Sequence, residues 1–107
     1  MIFLIMVFSV EFLNKKENMN KDKTYIFHSD SGHGWLAVKR NELTELNIGE
    51  KISHYSYQKG DTVYLEEDQD ATTFIIEFEK MFGCKPLFKE SYIDGYSPIR
   101  SYNRYEF

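Results

Sequence analysis

The sequence predicts a small α+β domain with the element order ββαββα followed by a further strand. Its sheet is expected to be antiparallel or mixed, with two helices packed on one face. Three observations lead to this prediction: segments of alternating polarity recur, glycine-containing turns separate them, and two stretches space their apolar residues as helices do. The 107 residues suffice for one domain and are too few for two, and 42% apolar residues permit a core. We expect this single domain to span residues 19–107.

The first two strands are predicted on either side of a short glycine-containing loop. Thr24–Ser29, "TYIFHS", alternates and is rich in β-forming residues, and "WLAVKR" is its expected partner. The connecting loop is "DSGHG". We expect Gly32 and Gly34 to supply the positive φ that such a loop uses.

The first helix is predicted in "NELTELNIG". Asn41 is a suitable N-cap, and Leu43 and Leu46 point to one side. Asn47 suits the left-handed position after the helix, so that Ile48 folds back on Leu43.

A β-hairpin is predicted in "ISHYSYQKGDTVYLEE", with Lys59-Gly60 as its two-residue turn. This turn places Gln58 opposite Asp61. By alternation the core face then carries Ile52, His54, Ser56, Val63 and Leu65. The other face carries Thr62, Glu66 and a group that we call the tyrosine panel, Tyr55, Tyr57 and Tyr64.

The main helix is predicted in "DQDATTFIIEFEKMFG". Asp68 or Asp70 is expected to cap it, and Gly83 to end it. Its apolar stripe comprises Ala71, Phe74, Ile75, Phe78, Met81 and Phe82.

The C-terminal segments are predicted to add one or two strands. "KPLFKESYI" alternates, "DGYSP" is a turn, and "IRSYNRYEF" alternates again. The last segment would place Arg100, Tyr102 and Arg104 on one side.

Charge and cysteine content exclude several functional classes. A net charge of −4 provides no general attraction to nucleic acid or to an anionic membrane. The single cysteine, Cys84, cannot form an internal disulfide, which favours a reducing, cytoplasmic location. We expect it to be a buried thiol. Because a core of this size is marginal, formation of a homodimer would help to stabilise it.

Residues 1–18 are interpreted as a non-native or disordered N-terminal extension. The apolar run lacks the preceding positive charge and the cleavage site of a signal peptide, and it is too short to span a bilayer. "MNKDKTYIF" reads as a natural start at Met19. An uncleaved membrane anchor is the alternative.

Three blocks follow in order along the chain: "SDSGHGWLAV", "ISHYSYQKGDTVYLEED" and "IRSY". From Lys23 onward the chain resembles a group of short uncharacterised proteins of bacteria and their phages, in which similar blocks recur in this order. The resemblance implies a small cytoplasmic protein carried by a phage or mobile element. It attaches no activity, so it transfers no functional residue.

Two clusters have the residue types of metal sites. His28, Asp30 and His33 are suitable ligands for zinc, but their spacing matches no strong motif, so a structural turn is favoured. The acids of "EEDQD" lack the spacing of an EF-hand and are better explained as a helix cap with solvated neighbours. If these residues did bind a metal, the protein would have an alternative function. It would be a small metal-dependent hydrolase or nuclease-like enzyme using the His28/Asp30/His33 loop with Glu66–Asp68.

The tyrosine panel is the favoured candidate for a functional surface. Either the C-terminal segment covers it, or it forms a contact patch, since tyrosine is enriched at interfaces. The tail "RSYNRY" adds arginines that stack on aromatic rings. We predict a binding protein without a cofactor whose partner is another protein, with a small anionic ligand as an alternative. The predicted binding residues are His33, Trp35, Tyr55, Tyr57, Tyr64, Arg100 and Arg104.

Overall fold

The structure, a computed structural model, describes residues 19–107, and our interpretation of residues 1–18 concerns residues outside this range. The described chain forms a six-stranded mixed sheet and two α-helices, which confirms the predicted α+β class and element order. The elements are β1 (Thr24–Ser29), β2 (Gly34–Lys39), α1 (Arg40–Glu45), β3 (Tyr57–Lys59), β4 (Thr62–Glu66), α2 (Asp70–Phe82), β5 (Leu87–Tyr92) and β6 (Asn103–Arg104). Single 3₁₀ turns lie at Gly49–Lys51 and Pro98–Ser101.

The strands lie in the order β5-β1-β2-β4-β3-β6. β5 runs parallel to β1, and all other neighbours are antiparallel. The parallel pair is possible because α2 separates β5 from the preceding strands and returns the chain across the sheet. The sheet is therefore mixed, as the sequence allowed.

Both helices cover the same face of the sheet. Leu43 of α1 and Phe74 and Phe78 of α2 belong to one buried cluster with the inward residues of the central strands. The strand residues of this cluster are Tyr25, Leu36, Val38, Val63 and Leu65. Their alternation along each strand is what places the core on this face.

Helix α1 ends as its sequence predicts. Asn47 has a φ of +56°, the N–H of Ile48 donates to the carbonyl oxygen of Leu43 at 3.0 Å, and that of Asn47 donates to Thr44 at 3.0 Å. This is the Schellman arrangement. The predicted N-cap is wrong: the helix begins at Arg40, and Lys39 occupies the cap position. The buried Glu42 carboxylate accepts a hydrogen bond from the Lys39 backbone N–H at 2.8 Å, replacing a cap by Asn41.

Helix α2 buries the centre of its predicted stripe and ends at Gly83, which has a φ of +75°. The predicted caps are wrong, because Gln69 is the N-cap residue and Asp70 lies inside the first turn. Asp70 is fully buried and accepts hydrogen bonds from the backbone and hydroxyl of Ser53 and from the hydroxyl of Ser56. Its carboxylate therefore joins α2 to the segment before β3.

The β3–β4 hairpin turns one residue later than predicted. Lys59 pairs with Thr62 and Tyr57 with Tyr64, so Gly60 and Asp61 form the turn. Gly60 has a φ of +57°, as the first position of a primed turn requires. Relative to the predicted register, each residue of β3 is paired with a β4 residue two positions further along the chain. Because side chains alternate with a period of two, Tyr57 and Tyr64 still lie on the same face. However, β3 begins only at Tyr57, which leaves Ile52, His54 and Tyr55 outside it.

Two further expectations from the sequence are wrong: the C-terminal strand and the burial of Cys84. Ile99–Ser101 forms part of a 3₁₀ turn rather than a strand, and β6 has only two residues. Ser97 caps this turn by accepting the Ile99 N–H at 3.2 Å, and Pro98 at its first position favours the turn. Cys84, expected to be buried, is exposed and directly follows Gly83 at the end of α2.

Within residues 19–107, no helix has both the length and the apolar character needed to cross a membrane.

Candidate functional site

The face of the sheet opposite the helices carries a second, smaller apolar layer. Trp35, Tyr57 and Ile99 are buried there, with Tyr64 and Tyr102 packed against them. The Trp35 and Tyr57 rings lie 6.2 Å apart in an edge-to-face arrangement, and Tyr64 and Tyr102 lie 5.3 Å apart. The C-terminal segment therefore covers part of the tyrosine panel, one of the two arrangements considered from the sequence.

Beside this layer lies an open cavity of about 510 Å³. We call it the Trp35 cavity. Six of the seven predicted binding residues line it: His33, Trp35, Tyr55, Tyr57, Arg100 and Arg104. The seventh, Tyr64, instead borders a neighbouring recess of about 210 Å³ with His28 and Tyr102. Burial, and the nearby Tyr102, raise the pKa of Tyr64 above its ordinary value.

The panel itself divides into buried and exposed members. Tyr57 is only 9% exposed and Tyr64 is half-buried, whereas Tyr55 is 59% exposed. Tyr55 is exposed while its neighbours Ser53 and Ser56 are fixed by hydrogen bonds to the interior. The backbone of Ser53 and the hydroxyl of Ser56 bond to Asp70, and the Ser56 carbonyl accepts the Tyr105 N–H at 2.9 Å. Tyr55 is thus presented at the rim of the cavity.

Arg100 is held by Asp30. Its Nε lies 2.7 Å from Asp30 Oδ2 and its Nη2 lies 2.9 Å from Oδ1, a bidentate ion pair. The Asp30 side chain is inaccessible to solvent and also accepts the backbone N–H groups of Gly32, His33 and Ser97. Arg100, and then these backbone donors, hold the pKa of Asp30 far below its ordinary value, and Asp30 in turn raises that of Arg100.

The arginines differ in what they can offer to a ligand. Arg100 lies over the rings of Tyr96, at 4.6 Å, and Trp35, at 5.7 Å, and its charge is matched by Asp30. Arg104 lies 4.5 Å over the ring of Tyr57. Among the described residues its guanidinium makes one hydrogen bond, a long one of 3.4 Å to the Tyr55 carbonyl. Most of its donors therefore remain available.

Acidic and polar residues complete the opposite wall: Glu66, Asp68 and Gln69. The Glu66 carboxylate accepts the backbone N–H of Asp68 at 2.9 Å and that of Gln69 at 2.7 Å, which fixes the turn before α2. Strand alternation had placed Glu66 on the face of Tyr64. The contribution of Asp68 and Gln69 depends on this turn, for which the sequence contains no periodic signal.

The residues considered as metal ligands do not converge. Within residues 19–107, no group of three His, Cys, Asp or Glu side chains is placed to hold a metal ion. His28 lies edge-to-face with Tyr64 at 5.8 Å, and burial lowers its pKa, whereas His33 lies beside Trp35 at 6.1 Å. Asp30 already has five hydrogen-bond donors.

The glycines of the first loop have a different purpose from the one predicted. Neither Gly32 nor Gly34 has a positive φ. A Cβ atom on Gly34 would instead overlap the ring of Phe27, lying 2.7 Å from its Cε1 atom. Glycine is therefore needed at this position so that the Phe27 ring can pack directly against the backbone. A Cβ atom on Gly32 would lie 3.0 Å from Arg100 Nη2, a tight contact with the arginine that Asp30 holds.

Comparisons of this chain with protein-family models, with curated proteins and with solved structures find no match. The chemistry of the site is therefore argued from its own residues.

Proposed function

We propose that this is a small cytoplasmic binding protein that recognises another protein through the Trp35 cavity. The observation that supports this proposal is the convergence of His33, Tyr55 and Arg104, with Trp35 and Arg100, from separate segments of the chain onto one open concave surface. Aromatic and arginine side chains carry much of the binding energy at protein interfaces. The single cysteine and the resemblance to short proteins of bacteria and their phages support the cytoplasmic location.

The shape of the site favours a partner that inserts one side chain. Trp35 and Tyr57 provide an apolar floor that is already packed and ordered, so binding would immobilise few additional groups. Tyr55 at the rim is stacked on His54, with ring centroids 5.0 Å apart, and can contact an inserted group because most of its surface is exposed. A central aromatic anchor surrounded by polar residues is the usual arrangement of an interface hot spot.

The charges of the cavity favour a peptide segment over a uniformly anionic ligand. Arg100 is neutralised by Asp30, which leaves Arg104 facing a wall that carries Glu66 and Asp68. A nucleic-acid backbone would meet both carboxylates. An acidic side chain of a protein partner can pair with Arg104 while a neighbouring basic group lies near Glu66 and Asp68. A small anionic ligand could use Arg104 alone, and this is the lesser alternative.

The proposal is tested by affinity capture from bacterial lysate with matched variants. We expect the wild type to retain a specific protein that Tyr55→Ala and Arg104→Ala each bind at least tenfold more weakly, since tyrosine and arginine hot-spot residues contribute about 2 kcal/mol or more. Phe107→Ala is the control, because Phe107 is 80% exposed and does not line the cavity. Its capture should equal that of the wild type.

Arg104→Lys provides a second comparison. Lysine keeps the charge but loses the planar group that stacks on Tyr57, so it should restore binding only in part. If the same proteins are captured equally by the wild type, Tyr55→Ala and Arg104→Ala, the cavity is not the binding site and the proposal is wrong.

A further inference from the structure

Strand β5 forms an open edge of the sheet. It lies at one end of the strand order, pairs only with β1 among residues 19–107, and exposes all six of its residues, Leu87–Tyr92. The edge carries large apolar side chains on both faces: Leu87 is 51% exposed, Phe88 47%, Tyr92 56% and the adjoining Ile93 40%. An edge strand of this kind is a template for pairing with another strand.

The backbone groups that face outward can be assigned from the pairing with β1. The N–H of Ile93 donates to Ser29 of β1 at 3.0 Å. Because hydrogen-bonding direction alternates along a strand, Leu87, Lys89 and Ser91 also face β1. Phe88, Glu90 and Tyr92 therefore direct their N–H and C=O groups away from the sheet.

We propose that two copies of this chain associate through antiparallel pairing of their β5 strands, with the two-fold axis at Glu90. In this register Glu90 lies opposite the partner's Glu90 and Phe88 lies opposite the partner's Tyr92. Each of these outward-facing pairs exchanges two backbone hydrogen bonds. Leu87 lies opposite the partner's Ile93, so the exposed apolar residues match each other.

Side-chain matching favours this register over the two neighbouring registers that symmetry permits. Directly opposed residues in an antiparallel pair point to the same face, so the axis must pass through a residue rather than between two. An axis at Lys89 places Phe88 opposite the partner's Glu90 and opposes two lysines. An axis at Ser91 places Tyr92 opposite the partner's Glu90 and Lys89 opposite the partner's Ile93.

The Glu90 register has one unfavourable feature, which makes it testable. Two carboxylates face each other across the axis, and like charges directly opposed weaken strand pairing. Glu90 accepts a hydrogen bond from Ser29 Oγ at 3.0 Å, which draws its carboxylate toward β1. The repulsion is therefore reduced and not removed. Replacing the charge should tighten the dimer by about two- to fivefold.

The interface is independent of the proposed binding function. β5 lies at the opposite edge of the sheet from β3 and β6, which carry Tyr57 and Arg104, and no residue of β5 lines the Trp35 cavity. The cavity therefore remains accessible in a β5-paired dimer, and a dimer variant can be compared with a cavity variant.

The test mixes the full-length wild type with Glu90→Lys and measures dimers by native mass spectrometry. In the mixed dimer Glu90 faces a lysine, so it should exceed the half of all dimers expected by chance. Glu79→Lys, an exposed change on α2, is the control and should mix statistically with the wild type. Sedimentation equilibrium of Glu90→Gln should show two- to fivefold tighter association than the wild type.

Two results would overturn the proposal. One is statistical mixing of the wild type with Glu90→Lys, which would show that the residues are not paired across the axis. The other is a protein that remains monomeric at millimolar concentration both as the wild type and as Glu90→Gln. Preferential mixed dimers together with tightening in Glu90→Gln would establish both the interface and its register.

Discussion

Asp30 connects the loop after β1 to the C-terminal 3₁₀ turn, although it is 70 positions from Arg100 in the chain. Its buried carboxylate determines the shape of the loop through Gly32 and His33, and the position of Arg100 beside Trp35. One aspartate thus sets the relative positions of two walls of the cavity. This is why the "HSDSGHG" loop has a structural purpose here.

The first prediction concerns the dependence of stability on pH through Asp30. Its pKa is lowered in the folded protein, so the folded state binds the proton less readily than the unfolded state. The resulting stability is present above the ordinary value of 3.8 and is lost as the pH falls below it. Asp30→Asn should lower the melting temperature at neutral pH and make the loss of stability in acid shallower.

Thermal unfolding followed by circular dichroism between about pH 2 and pH 7 measures this effect across the titration range of a carboxylate. Asp22→Asn is the control, since Asp22 is exposed and outside the cluster. An Asp30→Asn variant with the acid profile of the wild type would show that the ion pair does not stabilise the fold.

The second prediction concerns Gly34. Gly34→Val should lower the free energy of unfolding by about 1–3 kcal/mol, because the added side chain must displace the ring of Phe27. The measurement is chemical denaturation. In a Phe27→Ala background the same substitution should cost much less, because its obstacle has been removed. Equal costs in the two backgrounds would contradict a steric cause.

At the scale of elements, α2 is the clearest test of the core. Phe74 and Phe78 are fully buried and lie 5.4 Å and 6.0 Å from the Tyr25 ring of β1. Either one changed to Ala should cost about 3–5 kcal/mol of unfolding free energy. Ile76 lies on the same helix but is 48% exposed, so Ile76→Ala should change stability by no more than about 0.5 kcal/mol.

Denaturant titration of these three variants gives the comparison directly. If Ile76→Ala is as destabilising as Phe74→Ala, then α2 packs with a different face toward the sheet. If all three melt like the wild type, α2 contributes little to the core.

Across the whole molecule, the two apolar layers on opposite faces of one sheet explain why the tyrosine panel divides. Tyr57 belongs to the second layer and Tyr55 lies outside it, so they should respond differently to truncation. Tyr57→Ala should cost about 3–5 kcal/mol, as buried aromatic residues do, and Tyr55→Ala no more than about 0.5 kcal/mol.

Thermal and chemical unfolding of Tyr57→Ala and Tyr55→Ala test this division. It matters for function, because a binding defect in Tyr55→Ala can then be assigned to lost contact, whereas one in Tyr57→Ala includes loss of structure. Equal destabilisation by both changes would mean that Tyr55 is also part of the packed layer.

Several elements follow from neighbouring residues and could therefore be predicted. The stripe of α2, the end of α1 at Asn47 and the alternation of β4 depend on residues no more than about four positions apart, within reach of one helical turn or two strand steps. The convergence of the predicted binding residues on the Trp35 cavity could be predicted only in part. Alternation put Tyr57, Tyr64 and Glu66 on one face, but Tyr55 leaves the strand because Asp70 holds Ser53 and Ser56.

The sequence by itself determined which residues of β4 and α2 face the core, because the periods of 2 and 3.6 are properties of the local backbone, whereas His54, expected on the core face, is exposed. It determined the hairpin only to within one residue, since Gly60 suits either turn and both keep the same faces. Tertiary structure decided what depends on distant partners: the pairing of β5 with β1, the burial of Ile99 with Trp35 and Tyr57, and the ion pair of Asp30 with Arg100. Such contacts join segments that are far apart in the chain, and local sequence patterns do not indicate that these segments are close in space. The walls of the Trp35 cavity therefore come together only when the chain is folded.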